Sequence, residues 1–197
     1  MKDYNAIKKF ILQGQGIFFT EDFKKQQIDK YYINKLINDG LIERYERGVY
    51  LRYDVFEDEY YIIQRKNPTV IYSYNTAMYL HQMTERTPID IDVTVYTGYN
   101  ASHLPQNLNV HFVQKRNLDL GMTKLRTPHG FEVNVYNLER ITCDLINERN
   151  VGLEKEQINK FIRTVFFEKK IDTIKLIEYA KRLNCEKKVR RIMEVLS

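Results

Sequence analysis

The sequence predicts an α+β chain: an N-terminal winged helix-turn-helix followed by a mixed α/β domain with a small sheet and a helical C-terminus. Three observations carry this. Apolar residues recur at helical spacing in three short runs within the first forty positions, two of which end at glycine. A hairpin pattern, LIERYERGVYL, follows at once. Farther along, three runs alternate as strands do, and helical periodicity then resumes to the end.

Tyr4, Ile7, Phe10 and Ile11 share one face of a helix over residues 3–13 that stops at Gly14. Ile17-Phe18-Phe19 reads as a short strand. Thr20, with Glu21 and Asp22 behind it, reads as the N-cap and first-turn acids of a second short helix. In IDKYYINKLINDG, residues Tyr32, Ile33, Leu36 and Ile37 lie on one face of a third helix over 29–38, and Gly40 supplies its stop. Leu41-Ile42 and Val49-Tyr50-Leu51 are strand pieces around a polar tip, Arg44-Tyr45-Glu46-Arg47-Gly48. The glycine there gives a hairpin its permissive backbone.

Three helices and a hairpin make a winged helix-turn-helix, in which helix three enters the major groove and the wing meets the adjacent backbone or minor groove. Helix three turns Lys30, Tyr31, Asn34, Lys35 and Asn38 outward. Asn34 and Gln27 suit adenine edges. Lys24, Lys25, Lys30, Lys35, Arg44 and Arg47 suit phosphates. Tyr31 and Tyr45 are the aromatic residues expected to touch DNA, and two arginines flanking Tyr45 at a hairpin tip have no packing purpose.

The acidic and aromatic stretch RYDVFEDEYYIIQRKN predicts the organisation of the chain: a DNA-binding domain over 1–55, a connector over 56–67 and a C-terminal domain over 68–197. Tyr60 to Ile63 are the buried positions of a helix or extended connector that Pro68 ends. Ser73 is expected to cap a helix through His81, with ERTP at 85–88 terminating that unit. Alternation at 91–96, 110–113 and 131–136 predicts three or four strands in one antiparallel or mixed sheet. Asn137 caps a helix over 138–148 with Leu138, Ile141, Cys143 and Leu145 inward. Three amphipathic helices follow, with stripes on Ile158, Phe161, Ile162, Val165 and Phe166, then Leu176, Ile177, Ala180 and Leu183, then Val189, Ile192, Met193 and Leu196. Their outward faces carry Lys160, Arg163, Lys169, Lys187, Lys188, Arg190 and Arg191 among other cations, and these faces are expected to extend the DNA contact or to carry a second activity.

Charge is unevenly spread. Residues 1–53 hold 10 basic and 7 acidic groups, residues 54–150 hold 9 and 12, and residues 151–197 hold 12 and 7, so both ends are basic in a chain of net charge +5. That pattern suits a chain that meets a polyanion with its ends. No apolar run approaches the roughly 18 residues of a spanning helix, and Asp3, Lys8 and Lys9 interrupt what a signal peptide would need. A cytoplasmic chain without membrane partners is expected. Two cysteines, no CxxC and four scattered histidines predict neither a disulfide framework nor a metal site. A nuclease built on Asp90, Asp92 and Glu132 would want a lysine at position 134, which is Asn. No phosphate loop or nucleophile motif is present, so no catalytic residue and no cofactor are expected.

Gly40-Leu41-Ile42-Glu43-Arg44 and Arg47-Gly48-Val49-Tyr50 resemble the hairpin that closes the winged helix of AbiEi-type antitoxins of type IV toxin-antitoxin and abortive-infection (phage-defence) systems. The likeness continues through Ser73 and Ala77, Ile91 to Val95, and Val135-Tyr136-Asn137-Leu138-Glu139-Arg140, although tyrosines crowd the helix after Ser73 where the family has alanine and leucine. The resemblance implies a non-enzymatic antitoxin that represses its own operon. Members bind inverted repeats in double-stranded operator DNA, one copy to each half-site. They counter a nucleotidyltransferase-like toxin without a stable complex. It would place antitoxicity in the C-terminal domain, with Lys160, Arg163, Lys187, Lys188, Arg190 and Arg191 as its surface. Two alternatives remain from the residues alone: a transcriptional regulator with a ligand-sensing C-terminal domain and no toxin, and an antitoxin that holds its toxin in a stable complex.

Overall fold

The computed structural model describes residues 3–84, 86–147, 152–168 and 170–196. The chain divides into two compact units, Met1–Ile62 and Ile63–Ser197. Of the features expected from sequence, Glu85 of the ERTP stop, the helix end at Glu148 and the cation Lys169 lie outside the described residues.

In the first unit α1 (Tyr4–Gln13) is capped by the Asp3 carboxylate, which accepts from the Asn5 amide. β1 (Ile17–Phe19) leads straight into α2 (Thr20–Lys25) and then α3 (Lys30–Asn38), followed by β2 (Ile42–Glu46) and β3 (Val49–Arg52). Ile7, Ile11, Phe18, Phe23, Ile28, Tyr32, Ile33, Leu36 and Ile42 form one core, with the rings of Phe10, Phe18, Phe23 and Tyr50 packed at tilted and edge-on angles. The strand triplet is more than a terminal hairpin. β1 pairs antiparallel with β3, so the sheet runs β1-β3-β2 and the wing grows from a third strand buried beneath the helices.

Two local expectations are corrected. Thr20 is the first residue of α2 rather than its cap: its amide and hydroxyl both donate to the Gly48 carbonyl, tying the helix to the hairpin turn. Asp22 does the capping instead, accepting from the Phe19 amide at 2.9 Å. Arg44, Tyr45 and Glu46 belong to β2, leaving Arg47-Gly48 as the turn with Gly48 at φ +82°. Arg44 pairs with Tyr50 and Glu46 with Val49, so Tyr45 is the extra residue of a β-bulge, the device that re-aims a side chain at a strand end.

The second unit is a five-stranded mixed sheet, order β6-β5-β4-β8-β7, made of β4 (Ile71–Tyr72), β5 (Ile91–Tyr96), β6 (Leu108–Val113), β7 (Met122–Arg126) and β8 (Glu132–Tyr136). β4 and β7 were not expected from sequence. The division of the chain falls within α4 (Glu59–Lys66), started by Asp58 accepting from the Tyr61 amide. Gln64 on it bridges the Val70 and Asn134 backbones. α5 (Tyr74–Leu80), α6 (Leu138–Asn147), α7 (Lys155–Phe167), α8 (Thr173–Arg182) and α9 (Glu186–Leu196) complete the unit. Ser73 stands at the N-cap of α5, but its hydroxyl makes no capping bond and has no hydrogen-bond partner among the described residues. Asn137 does cap α6, accepting from the Arg140 amide.

α6 is buried on nearly every side, polar residues included. Arg140 is fully buried; its Nε donates to both oxygens of Asp144, its Nη1 to the carbonyls of Asn117 and Leu120, and its guanidinium lies 4.2 Å from the Tyr136 ring centre. Cys143 and Cys185, both free and buried, sit together in the core that α6 makes with α8 and α9.

Candidate nucleic-acid interface

α3 owes its position to its two ends. Asp29 caps it by accepting from the Tyr32 amide. At the other end Leu41 donates to the Leu36 carbonyl and Gly40, at φ +68°, to that of Ile37, the paired bonds of a glycine-terminated helix. Tyr32, Ile33 and Leu36 are buried, and the opposite face, Lys30, Tyr31, Asn34 and Asn38, is exposed. Tyr31 is 67% exposed, its ring edge-on to Tyr32. Lys35 is only half exposed: its ammonium lies 4.2 Å from the centre of the Tyr4 ring, whose hydroxyl donates to Asp39. Burial, with the Asp39 carboxylate beside it, pushes the Tyr4 hydroxyl up to about 12. Lys35 therefore also fastens α1 to α3.

The turn between α2 and α3 repeats the helix-ending geometry without a glycine. Ile28 donates to the Phe23 carbonyl and Gln27 to that of Lys24, with Gln27 at φ +52°. An L side chain in that region costs roughly 1–2 kcal/mol. Gln27→Gly is therefore expected to raise the stability of the first unit by up to about 1 kcal/mol, read as the midpoint of urea unfolding. A lower midpoint would show that the Gln27 side chain, rather than its backbone, matters to the fold.

Lys24 and Lys25 are exposed on α2, and Arg44 and Arg47 on the wing, none with an ion pair among the described residues. Tyr45 is 47% exposed, and burial followed by the nearby carboxylates of Glu57, Glu46 and Glu59 raises its hydroxyl above the ordinary tyrosine range. Those carboxylates oppose a phosphate at Tyr45, so the arginines are the better anion donors of the hairpin. The wing is anchored from below. Arg52, at the end of β3, points Nη1 at the carbonyls of Ile11, Leu12 and Gly14 (3.2, 3.0 and 3.0 Å), placing a cation on the C-terminus of α1, while its Nε meets Asp54 at 2.5 Å. Sequence reading overlooks Arg52; a cation just after a strand gives no sign that it will cap a helix forty residues earlier.

The geometry is that of a winged helix-turn-helix with a cationic, amide-bearing face, and residues 5–53 match the family model described as "Transcriptional regulator, AbiEi antitoxin". Over residues 5–53 the chain is similar to AbiEi-type antitoxins. No curated protein matches the chain.

In the second unit the sequence-assigned cations fall into two groups. Lys188 donates to the Asn147 carbonyl and side chain, and Arg190 pairs with Glu186, so both are engaged within the unit. Lys160, Arg163, Lys187 and Arg191 are exposed, and Arg163 and Arg191 line one groove of about 290 Å³ with Ile162, Ile192 and Val195. Glu132 pairs with Lys124 on the β7–β8 edge, two strands from Asp92 on β5, so these acids are not brought together. Among the described residues no cluster of three or more His, Cys, Asp or Glu could hold a metal ion, and no helix is long and apolar enough to cross a membrane.

Proposed function

We propose that the chain binds operator DNA through α3 and the wing, two copies sharing an inverted repeat, and so represses its own operon. Asn34, Lys30 and Tyr31 would meet the major groove, with Lys24, Lys25 and Lys35 beside them and Gln27 at the turn; Arg44 and Arg47 would hold the adjacent backbone, with Tyr45 a lesser contact. Residues 1–55 carry this activity, 56–67 connect, and 68–197 carry antitoxicity against a nucleotidyltransferase-like toxin without a stable complex and without catalysis by this chain. Lys160, Arg163, Lys187 and Arg191 are its foremost surface, with Lys188 and Arg190 shaping it. The observation that carries the reading is the coincidence, in one rigidly capped unit, of an exposed amide-bearing helix face and two wing arginines with no ion pair among the described residues.

The wing supplies the test. Arg44→Ala with Arg47→Ala should weaken binding to the promoter fragment and to random duplex alike. The slope of log affinity against log salt should fall by about 0.9 for each phosphate released. Gel shifts over a salt series read this. A loss confined to the promoter fragment would assign base reading to the wing instead, and wild-type protein that binds neither duplex would overturn the function proposed.

A further inference from the structure

The second unit holds a cleft whose two ends are opposite in charge. It has two adjoining lobes, of about 430 and 310 Å³, and Asn75, Arg86 and Gln157 line both. The first lobe is lined by Met83, by the buried Met78 and Phe161, and by two exposed cations, Arg86 and Lys160; among the described residues no carboxylate lines it. The second is acidic, with Asp90, Asp92 and Glu154 beside Asn109. Asp92 is buried and fixed by His111 at 2.9 Å, whereas Asp90 is exposed.

α5, whose Asn75 lines both lobes, is strained at its start. Tyr74, its first residue, stands in the left-handed region at φ +44°; Gln82, at φ +58° and lining the cleft, ends the helix as Gln27 ends α2, its amide donating to the Tyr79 carbonyl and that of Met83 to Met78. Tyr74 lies 4.0 Å, centre to centre, from the His111 ring, and the Ser73 hydroxyl before it is buried with no partner among the described residues. Strained backbone and orphaned polar groups gather where a fold serves a site rather than its own stability.

We infer that this cleft binds a free nucleoside 5′-phosphate. Arg86 and Lys160 would take the phosphate, the forked guanidinium supplying paired donors and the ammonium a point charge. The side-chain amides of Asn75, Asn109 and Gln157 suit sugar hydroxyls and base edges. The acidic lobe decides between ligands. An inorganic anion gains nothing from it, and a long polyanion is repelled by Asp90 and Glu154. A mononucleotide places its single charged group at one end and hydrogen-bond donors at the other. Guanine, with ring N–H and amino donors side by side, suits the Asp90 carboxylate best. Clefts that take ligands of this size run roughly 300 to 1,000 Å³. The inference concerns the second unit alone and stands whether or not the first unit reads DNA.

Calorimetric titration of the full chain with GMP, AMP, UMP and inorganic phosphate tests it. GMP should bind about tenfold or more tightly than phosphate alone, and Arg86→Ala or Lys160→Ala should each weaken it about tenfold, with Lys160→Arg restoring most of the affinity. Asp90→Asn should narrow the preference for GMP over AMP. Both cations are exposed, and circular dichroism would confirm that the variants fold. Absence of heat from every nucleotide up to about 1 mM, unchanged affinity in both alanine variants, or tighter binding of a 5′-phosphorylated dinucleotide than of any mononucleotide would each overturn the assignment.

Discussion

Asn34→Ala is expected to lower affinity for the promoter fragment by about 1–3 kcal/mol, roughly 5- to 150-fold, while leaving affinity for random duplex nearly unchanged. The asymmetry follows from the chemistry. A side-chain amide can accept from and donate to one adenine edge at once, and that pair of bonds exists only on the correct base. Asn34 is also a clean position for the experiment. It is exposed in the middle of α3 and makes no side-chain hydrogen bond among those described. Alanine is the better helix former by several tenths of a kcal/mol, so lost affinity cannot be blamed on a lost helix. Lys35→Ala would be harder to interpret, because it strips the cation from the Tyr4 ring as well as from any phosphate. Fluorescence anisotropy on promoter and scrambled duplexes measures the ratio. Equal losses on both would mean that Asn34 touches backbone, and no loss on either would remove α3 from the role of reading helix.

Arg140→Met should have the largest effect on stability, about 3–5 kcal/mol, because it breaks a buried ion pair while leaving its partner in place. Asp144 would keep a buried carboxylate with neither Nε bond, and the carbonyls of Asn117 and Leu120 would lose their donor. Against a total stability of about 5–15 kcal/mol this is a large share. For a unit of this size it corresponds to a fall in melting midpoint of roughly 10–20 °C. Pairing the change with Asp144→Leu should recover much of it, since no charge is then left without a partner. Calorimetry on the single and double variants settles the matter; a single variant melting within a few degrees of wild type would mean that water or a shifted side chain takes over the role of Arg140.

The same residue shows where sequence reading stops. Periodicity located α1, α3 and the hairpin because their apolar faces are narrow and their polar faces are truly exposed, so Lys30, Tyr31 and Asn34 could be assigned outward from spacing alone. α6 breaks that logic. Its charged Glu139, Arg140 and Asp144 are buried, because bonds made to residues as distant as Asn117 compensate them, and no local pattern records such partners. β4 leaves no sequence pattern because two residues, Ile71 and Tyr72, are too few to alternate, and β7 leaves a faint one because only Thr123 and Leu125 of MTKLR turn inward. The wing tip reads longer in the sequence than it is, because Arg44 to Glu46 are all polar although the backbones of Arg44 and Glu46 pair with Tyr50 and Val49 across the bulge. The cleft was illegible for a different reason: its walls come from residues between Asn75 and Phe161, brought together only by the sheet order.

The clasp of Arg52 on the end of α1 bears on how the hairpin would meet a partner. A two-stranded hairpin alone is marginally stable in water. Here its inner strand is bonded to β1 on one side and bolted to three carbonyls of α1 at its end. The freedom that a loose hairpin would surrender on contact has already been surrendered in folding, so the favourable energy of each arginine contact is retained as affinity rather than spent on ordering. Substitutions at Arg52 should thus act at a distance, loosening Arg44 and Arg47 without removing either.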